Sequence, residues 1–158
     1  MHPNQQLLQD FYTAFNNRDY AVMQQAYHPN ATFSDPVFPD LNAVQVKAMW
    51  QMLTSSAKDL RVTFSNAQAD DQRGSIRWDA WYTFSRTGRS VHNIIHASFQ
   101  FQDGKIIRHI DDFSFWRWSR QALGTSGLLL GWTPVVQNKV RSTANASLEK
   151  FMTTPSSR

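Results

Sequence analysis

The sequence predicts an α+β fold in which N-terminal helices wrap a cone-shaped, strongly bent antiparallel sheet around one apolar pocket, followed by a C-terminal helical extension. Apolar residues recur at helical spacing in the first third of the chain. From residue 60 onward they alternate instead with polar residues over three long segments. Long adjacent strands coil into a concave wall, and helices must then cover its apolar face.

The first segment, residues 5–16, carries apolar residues at helical spacing and predicts a helix with Asn4 as its N-cap. A second helix is expected from Asp19 to Ala26. This helix should end ahead of Pro29, because a proline disfavours helical geometry in the residue before it.

A short strand is expected next, over residues 31–35, with Phe33 and Asp35 on the same face. Asp40 is then expected to cap a third helix over residues 42–54.

The remaining strands are predicted over residues 60–69, 76–84, 90–102 and 105–113. Counting by twos sorts their side chains onto two faces of the sheet. The inward set includes Trp78, Tyr82, Asn93, His109, Asp111 and Phe113. Arg77 and Asp79 fall on the opposite face of their strand. After the sheet we expect a short helix over residues 115–123 that Gly124 closes, then a loop, and then a last helix that Pro134 opens and that runs to about residue 152.

Length and composition bound the function classes. The chain has 158 residues and no cysteine, so it fits one domain without disulfides or thiolate chemistry. We divide it into a domain at residues 1–124 and a basic helical extension at residues 125–158, packed on the same domain. The sequence predicts no signal peptide and no membrane span, which favours a cytoplasmic location. It also lacks the basic and aromatic interleaving of a nucleic-acid platform.

Two carboxylates are the main candidates for chemistry. Asp35 lies where an apolar strand meets Pro36, and it reads either as a pocket base or as the cap of a turn. Asp111 shares an apolar inward face with His109, so the two form either an acid–base pair or a structural ion pair.

Two segments carry a resemblance to a known family. Residues 27–36 (Tyr-His-Pro-Asn-Ala-Thr-Phe-Ser-Asp-Pro) and the hairpin at residues 99–107 resemble the nuclear transport factor 2-like superfamily, in its SnoaL-like and ketosteroid isomerase-like branches. The resemblance implies the cone fold, a homodimer through the outer sheet face, and small-molecule chemistry without a cofactor or metal. It also implies that Asp35 matches the general base of the isomerases. Their oxyanion donors, a Tyr and a protonated Asp, fall at about Phe11 and Ala97 here.

Three functions follow as hypotheses. The first is isomerase- or cyclase-type chemistry on a small apolar carbonyl substrate, with Asp35 and Asp111 moving a proton and His109 tuning Asp111. The second resembles limonene epoxide hydrolase and would use Arg77, Asp79 and Asp111. The third is a non-catalytic domain for ligand binding or assembly, which the missing oxyanion donors favour.

The pocket wall is expected to be aromatic, which suits a flat apolar ligand. Its predicted lining consists of Phe11, Phe15, Phe33, Trp50, Trp78, Tyr82, Asn93 and Phe113. His92 and His96 share the outer face of one strand, where we expect a surface or subunit contact rather than a metal site.

Overall fold

The computed structural model describes residues 1–154. The helices are α1 (Pro3–Asn16), α2 (Tyr20–Gln25), α3 (Ala43–Ser56), α4 (Phe115–Leu123), α5 (Thr125–Leu130) and α6 (Pro134–Thr153). The strands are β1 (Tyr27–Ser34), β2 (Leu41–Asn42), β3 (Arg61–Ala69), β4 (Arg73–Phe84), β5 (Arg89–Gln102) and β6 (Lys105–Asp112).

The six strands form one sheet in the order β2-β1-β6-β5-β4-β3. Its long meander is antiparallel, but β1 runs parallel to β6, with Phe33 beside His109. The α+β class and the helix-covered sheet are as predicted, whereas this parallel pair is not. Alternation in a sequence reports which face a side chain takes and carries no information on strand direction.

Two helix caps differ from the prediction. His2, not Asn4, caps α1, because Pro3 occupies the first helical position and the His2 ring accepts from the Asn4 backbone N–H. The Asn4 side chain is thereby free to donate to the carbonyl of Asp70. Asn42, not Asp40, caps α3, because it forms a reciprocal capping box with Gln45.

The helices α1 and α3 cover one face of the sheet and enclose an aromatic core. Its fully buried large side chains are Trp50, Tyr12, Tyr27, Phe11, Phe33, Leu8, Met23, Leu41, Met49, Ile95, Ile106 and His109. A second, smaller apolar cluster is centred on Phe115 and Trp118 of α4. The partly buried Val37, Tyr82 and Phe113 pack against both clusters and therefore mark the seam between them.

The C-terminal helices lie on the same body as the sheet. Leu148 of α6 is 3% exposed and belongs to the main core. Arg141 of α6 donates from Nε to the carbonyl of Pro36, at 2.8 Å. Residues 125–130, expected as a loop, form the short helix α5. Among residues 1–154, no helix has the length and apolar character that crossing a bilayer requires.

Candidate active site

A continuous hydrogen-bonded chain of side chains crosses the core. Trp50 Nε1 donates to the Tyr27 hydroxyl at 2.8 Å, and that hydroxyl lies 2.8 Å from Nδ1 of His109. His109 Nε2 lies 2.8 Å from Oδ1 of Asp111. Trp78 Nε1 donates to the same carboxylate oxygen at 3.4 Å. Elements from both layers of the fold, α3, β1, β4 and β6, thus meet at one polar site.

With Asp111 ionised and His109 neutral, each hydrogen bond in this chain has one direction. An ionised Asp111 can only accept, so His109 donates its Nε2–H to it. Nδ1 of the neutral ring is then an acceptor, and it receives the Tyr27 O–H. The Tyr27 hydroxyl in turn accepts a hydrogen bond from Trp50, whose indole N–H can only donate. Each hydrogen bond from Trp50 to Asp111 therefore has a defined donor and acceptor, and the Asp111 carboxylate is held in one orientation.

Aromatic rings surround His109, whose side chain is fully buried. The ring centroids lie 4.4 to 6.2 Å from that of His109. These rings belong to Phe11, Tyr27, Phe33, Trp50 and Phe99. Since a buried polar group without partners costs free energy, the hydrogen bonds to Tyr27 and Asp111 are what make this burial tolerable.

Tyr12 places a second hydroxyl near Asp111, and that hydroxyl is unsatisfied. Its oxygen is buried without a hydrogen-bond partner. Burial, followed by the negative charge of Asp111, raises the pKa of Tyr12 well above its usual value. Among residues 1–154, Oδ2 of Asp111 also receives no hydrogen bond. The fully buried Tyr12 hydroxyl thus lacks an acceptor, and Oδ2 of Asp111, a residue that is 3% exposed, lacks a donor.

Asp35 follows directly after β1 and is half-buried. Its Oδ1 accepts from the backbone N–H groups of Val37 and Phe38, at 2.7 and 2.6 Å, so it does cap a turn. Burial nevertheless raises its pKa to about 7, opposed by these hydrogen bonds and reinforced by the charge of Asp111. The two carboxylates therefore interact through the protein interior.

The region between Asp35 and α4 is aromatic. Trp118 Nε1 donates to the hydroxyl of Tyr82 at 2.7 Å. Burial, partly offset by that bond and reinforced by the Asp35 charge, raises the pKa of Tyr82 to about 12. Tyr82 belongs to the seam between the two apolar clusters, and so does Val37, whose backbone N–H donates to Asp35. Asp35 therefore lies beside that seam.

The predicted pocket lining is largely in mutual contact. Phe11, Phe15, Phe33, Trp50 and Trp78 are 1 to 6% exposed and are linked by ring–ring contacts such as Phe15–Trp50, at 5.0 Å. Aromatic side chains therefore fill the interior of the cone at this depth.

Two surface grooves lie elsewhere. A groove of about 710 Å³ has Arg73, Ser75 and Gln100 among its lining residues and none of the predicted pocket residues. A second groove, of about 430 Å³, is lined in part by the predicted pocket residues Asn93 and Phe113.

Arg77 and Asp79 do not join Asp111. Arg77 Nε donates to Asp79 Oδ1 at 3.0 Å, and Asp79 Oδ2 lies 2.8 Å from Nε2 of His92. Trp78, between them, points the other way, toward Asp111. Because successive side chains of a strand alternate between its faces, the convergence required for the epoxide-hydrolase hypothesis is not met.

The outer-face histidines have separate surroundings. His92 stacks on Trp81, with ring centroids 4.4 Å apart, and His96 is exposed. Within residues 1–154, no three His, Cys, Asp or Glu side chains come together as a metal site would require.

Tyr12 and Tyr27 were both missing from the predicted site, although the sequence carried a signal for Tyr12. Tyr12 lies four residues after Leu8 and three before Phe15, on the same helical face. Tyr27 begins β1 four residues before the predicted start of that strand, and a register shift between Tyr27 and Thr32 separates it from Phe33, so strand parity gave no signal for it.

The SnoaL-like domain family matches this chain over residues 8–109, which is more than half of its length. The chain belongs to the SnoaL-like family. It is accordingly a member of the nuclear transport factor 2-like superfamily. A comparison with curated protein sequences found no match.

Several solved structures share the fold of this SnoaL-like protein. IdmH, a putative polyketide cyclase from Streptomyces antibioticus, is 19% identical with a TM-score of 0.65, over 78% of this chain and all of its own. An epoxide hydrolase of M. tuberculosis, described as LEH-like, is 16% identical with a TM-score of 0.63, over 85% of this chain and 95% of its own.

AclR, a putative hydroxylase from Streptomyces galilaeus, is 17% identical with a TM-score of 0.63, over 96% of this chain and 97% of its own. The match to AclR extends into the C-terminal helices, so those helices are part of a shared architecture. Identities at this level establish the fold and leave the reaction to the site itself.

Proposed function

We propose that this SnoaL-like protein is an isomerase- or cyclase-type enzyme that performs carboxylate acid–base chemistry on a small apolar carbonyl substrate. The observation that carries the proposal is the pair of unpartnered polar atoms in an aromatic interior, the Tyr12 hydroxyl and Asp111 Oδ2. A core selected for stability alone gains nothing from an unsatisfied donor beside a carboxylate.

The two atoms suit the two ends of an enolisation. Asp111 Oδ2 would take the proton from the carbon next to the substrate carbonyl, and the C–H electron pair would become the enolate. The Tyr12 O–H would donate a hydrogen bond to the carbonyl oxygen, where negative charge develops. Return of the proton to another carbon gives an isomer. Attack of the enolate carbon on a second carbonyl of the substrate instead closes a ring, and the oxygen of that carbonyl takes up the electron pair and then the proton.

His109 and Tyr27 act on Asp111 rather than on the substrate. The directed chain from Trp50 through Tyr27 and His109 holds Asp111 Oδ1 and leaves Oδ2 free. This is the orienting role that a buried histidine–carboxylate pair can serve without transferring a proton itself.

Asp35 supplies a second acid, beside the seam between the two apolar clusters. With a pKa of about 7 it holds both protonation states near neutral pH, which suits a group that returns a proton to an intermediate. Its half-burial and its interaction with Asp111 support a role beside the same substrate.

The second candidate is a non-catalytic domain for ligand binding or assembly. The specific observation that favours it is the aromatic filling of the cone, because a ligand must displace rings around Phe15 and Trp50 to reach Asp111. Epoxide hydrolysis through Arg77 and Asp79 is not proposed, because both side chains lie on the other face of β4. We also propose, for either candidate function, that the protein forms a homodimer through the outer face of its sheet.

Deuterium exchange tests the reaction directly. The protein is incubated in heavy water with a panel of cyclic ketones, aromatic ketones and β-diketones, and exchange next to the carbonyl is followed by proton NMR. We expect the wild type to accelerate exchange for at least one of these ketones. We expect Asp111→Asn to reduce that rate by roughly 10² to 10⁴-fold, because the amide cannot take a proton.

Asp79→Asn is the matched control, since it makes the same change on the opposite face of the sheet and should leave the exchange rate unaltered. Binding of a ketone by the wild type without accelerated exchange would favour the non-catalytic candidate. Equal rates in the wild type and in both Asp111→Asn and Asp35→Asn would refute the proposal.

A further inference from the structure

The C-terminal helices carry an exposed apolar patch that the site described above does not use. It comprises Trp116, Leu128, Leu129, Leu130, Trp132 and Val135, and we call it the α5 patch. Leu129 is 62% exposed, Trp132 67% and Val135 78%. Large apolar side chains contiguous on a surface mark an interaction site more often than scattered ones do.

Packing of α5 on α4 holds these leucines outward. Gly127 and Gly131 lie directly against Ser119 of α4, and a Cβ at either glycine would collide with it. The glycine side of α5 is therefore the side that faces α4, which directs Leu128, Leu129 and Leu130 away from the body. The patch is thus a consequence of tight packing and not of a missing contact.

The backbone beneath the patch is already satisfied. Trp116 Nε1 donates to the carbonyl of Leu128 at 3.2 Å, and Trp132 Nε1 donates to that of Leu129 at 3.1 Å. Thr133 donates to the carbonyl of Leu130 through its backbone N–H, at 2.9 Å, and through its hydroxyl. Carbonyls at a helix C-terminus normally depend on water, so this arrangement suits an environment with little water.

The segment that carries the patch has a net positive charge. From residue 113 to residue 154 the chain has five basic residues, and Glu149 is its sole acid. Arg120 stacks over the ring of Trp116, with Cζ 4.6 Å from the centroid, and Lys139 lies one helical turn after Val135. A second copy docked on this patch would bring basic side chains against basic side chains, which disfavours self-association here.

We infer that the α5 patch binds an anionic lipid surface, with its leucines and Trp132 in the interface and the flanking basic residues on the headgroups. Exposed Trp and Leu beside Lys and Arg are the composition of interfacial anchors. The inference does not depend on the reaction proposed above.

Vesicle flotation with the full chain tests this inference. Vesicles of phosphatidylcholine and phosphatidylserine in equal parts are compared with vesicles of phosphatidylcholine alone. We expect binding to the anionic vesicles, weakened by salt, and little binding to the neutral ones. The variant Leu129→Ser/Val135→Ser should weaken binding roughly tenfold or more, because it removes two apolar groups from the interface and leaves the internal hydrogen bonds intact.

The charge arm uses Lys139→Glu, which should weaken binding roughly tenfold. Lys105→Glu makes the same charge change at the first residue of β6, whereas α4 follows the last residue of that strand, so this variant should bind as the wild type does. Circular dichroism and the unfolding midpoint verify that each variant is folded.

Three results would overturn the inference. One is that the folded wild type does not float with anionic vesicles, and another is that the patch variants float as well as the wild type. The third is that Leu129→Ser/Val135→Ser converts a dimer to a monomer in light scattering, which would assign the patch to a second copy.

Discussion

Each face of the sheet carries a hydrogen-bonded histidine–aspartate pair, and the two pairs have the same N–O distance. His109 and Asp111 are 2.8 Å apart on the inner face, and His92 and Asp79 are 2.8 Å apart on the outer face. The inner side chains are 0% and 2% exposed, whereas the outer ones are 33% and 12% exposed.

The two aspartates also differ in the side chains that hydrogen-bond to them. Asp79 is neutralised by Arg77, and its pKa is lowered chiefly by that hydrogen bond. Asp111 has no Lys or Arg at ion-pair distance within residues 1–154, and its hydrogen-bond partners are His109 and Trp78. With His109 neutral, the same chemical pair is a compensated ion pair on one face and an uncompensated carboxylate on the other. An uncompensated buried charge is the arrangement that active sites use.

Truncating the two histidines should separate their roles most strongly. His109→Ala should destabilise the protein by about 3–5 kcal/mol, because it opens a cavity among aromatic rings and leaves Asp111 and Tyr27 unpaired. His92→Ala should cost about 1 kcal/mol, because Arg77 still compensates Asp79. Urea unfolding curves measure both, and similar losses would remove the distinction between the faces.

The pH dependence of stability should have opposite signs for the two kinds of carboxyl. Asp35 has a folded pKa of about 7, above its ordinary 3.8, so between these values the folded chain holds a proton that the unfolded chain has released. Its contribution is therefore lost as pH rises from about 4 to 7, with a slope of at most about 1.4 kcal/mol per pH unit. Asp79, whose pKa is lowered, loses its contribution only as pH falls below 3.8.

Denaturation at a series of pH values measures these slopes. Asp35→Asn should flatten the curve between pH 4 and 7, since an amide can still cap the turn but cannot titrate. A curve for Asp35→Asn that keeps the wild-type slope would assign the titration to another group.

Two phenylalanine substitutions sharpen the comparison within the inner face. Tyr27→Phe removes a hydroxyl that links Trp50 to His109, so it should destabilise by about 1–3 kcal/mol. Tyr12→Phe removes an unpartnered hydroxyl, so it should be neutral or stabilise by about 1 kcal/mol while reducing ketone exchange roughly 10² to 10³-fold. Equal destabilisation by both, in thermal unfolding, would mean that Tyr12 has a partner after all.

The smallest effect is expected for Arg77. Arg77→Gln should lower the unfolding midpoint slightly at low salt and not at high salt, because the Arg77 side chain is 41% exposed and salt screens its charge. Ketone exchange should not change. A large or salt-independent loss would show that the outer pair does more than stabilise the surface.

Most of the fold could be predicted because its periodicities are strong. The alternation through residues 76–84 assigned Trp78 inward and Arg77 and Asp79 outward, and the structure has them so. The direction of β1 could not be predicted, since it depends on where α2 delivers the chain. The cap of α3 was also missed, because Asn42 competes with Asp40 and only the reciprocal bond with Gln45 decides it.

The acidic residues of the candidate site could be predicted from the sequence, whereas the hydrogen bonds that link them to other elements could not. Parity alone put His109 and Asp111 on one inner face. The hydroxyl that His109 meets comes from Tyr27, 82 residues away in sequence. Contacts between β1, α3 and β6 of this kind depend on tertiary packing, which local pattern does not encode.

The bond from Arg141 to the Pro36 carbonyl ties the last helix to the turn that follows β1. The carboxyl of Asp35 takes its shape from that same turn, through the amides of Val37 and Phe38. The position of α6 and the pKa of Asp35 are consequently coupled through this turn. A binding event that shifts α6 would therefore change the proton affinity of Asp35 without contacting it.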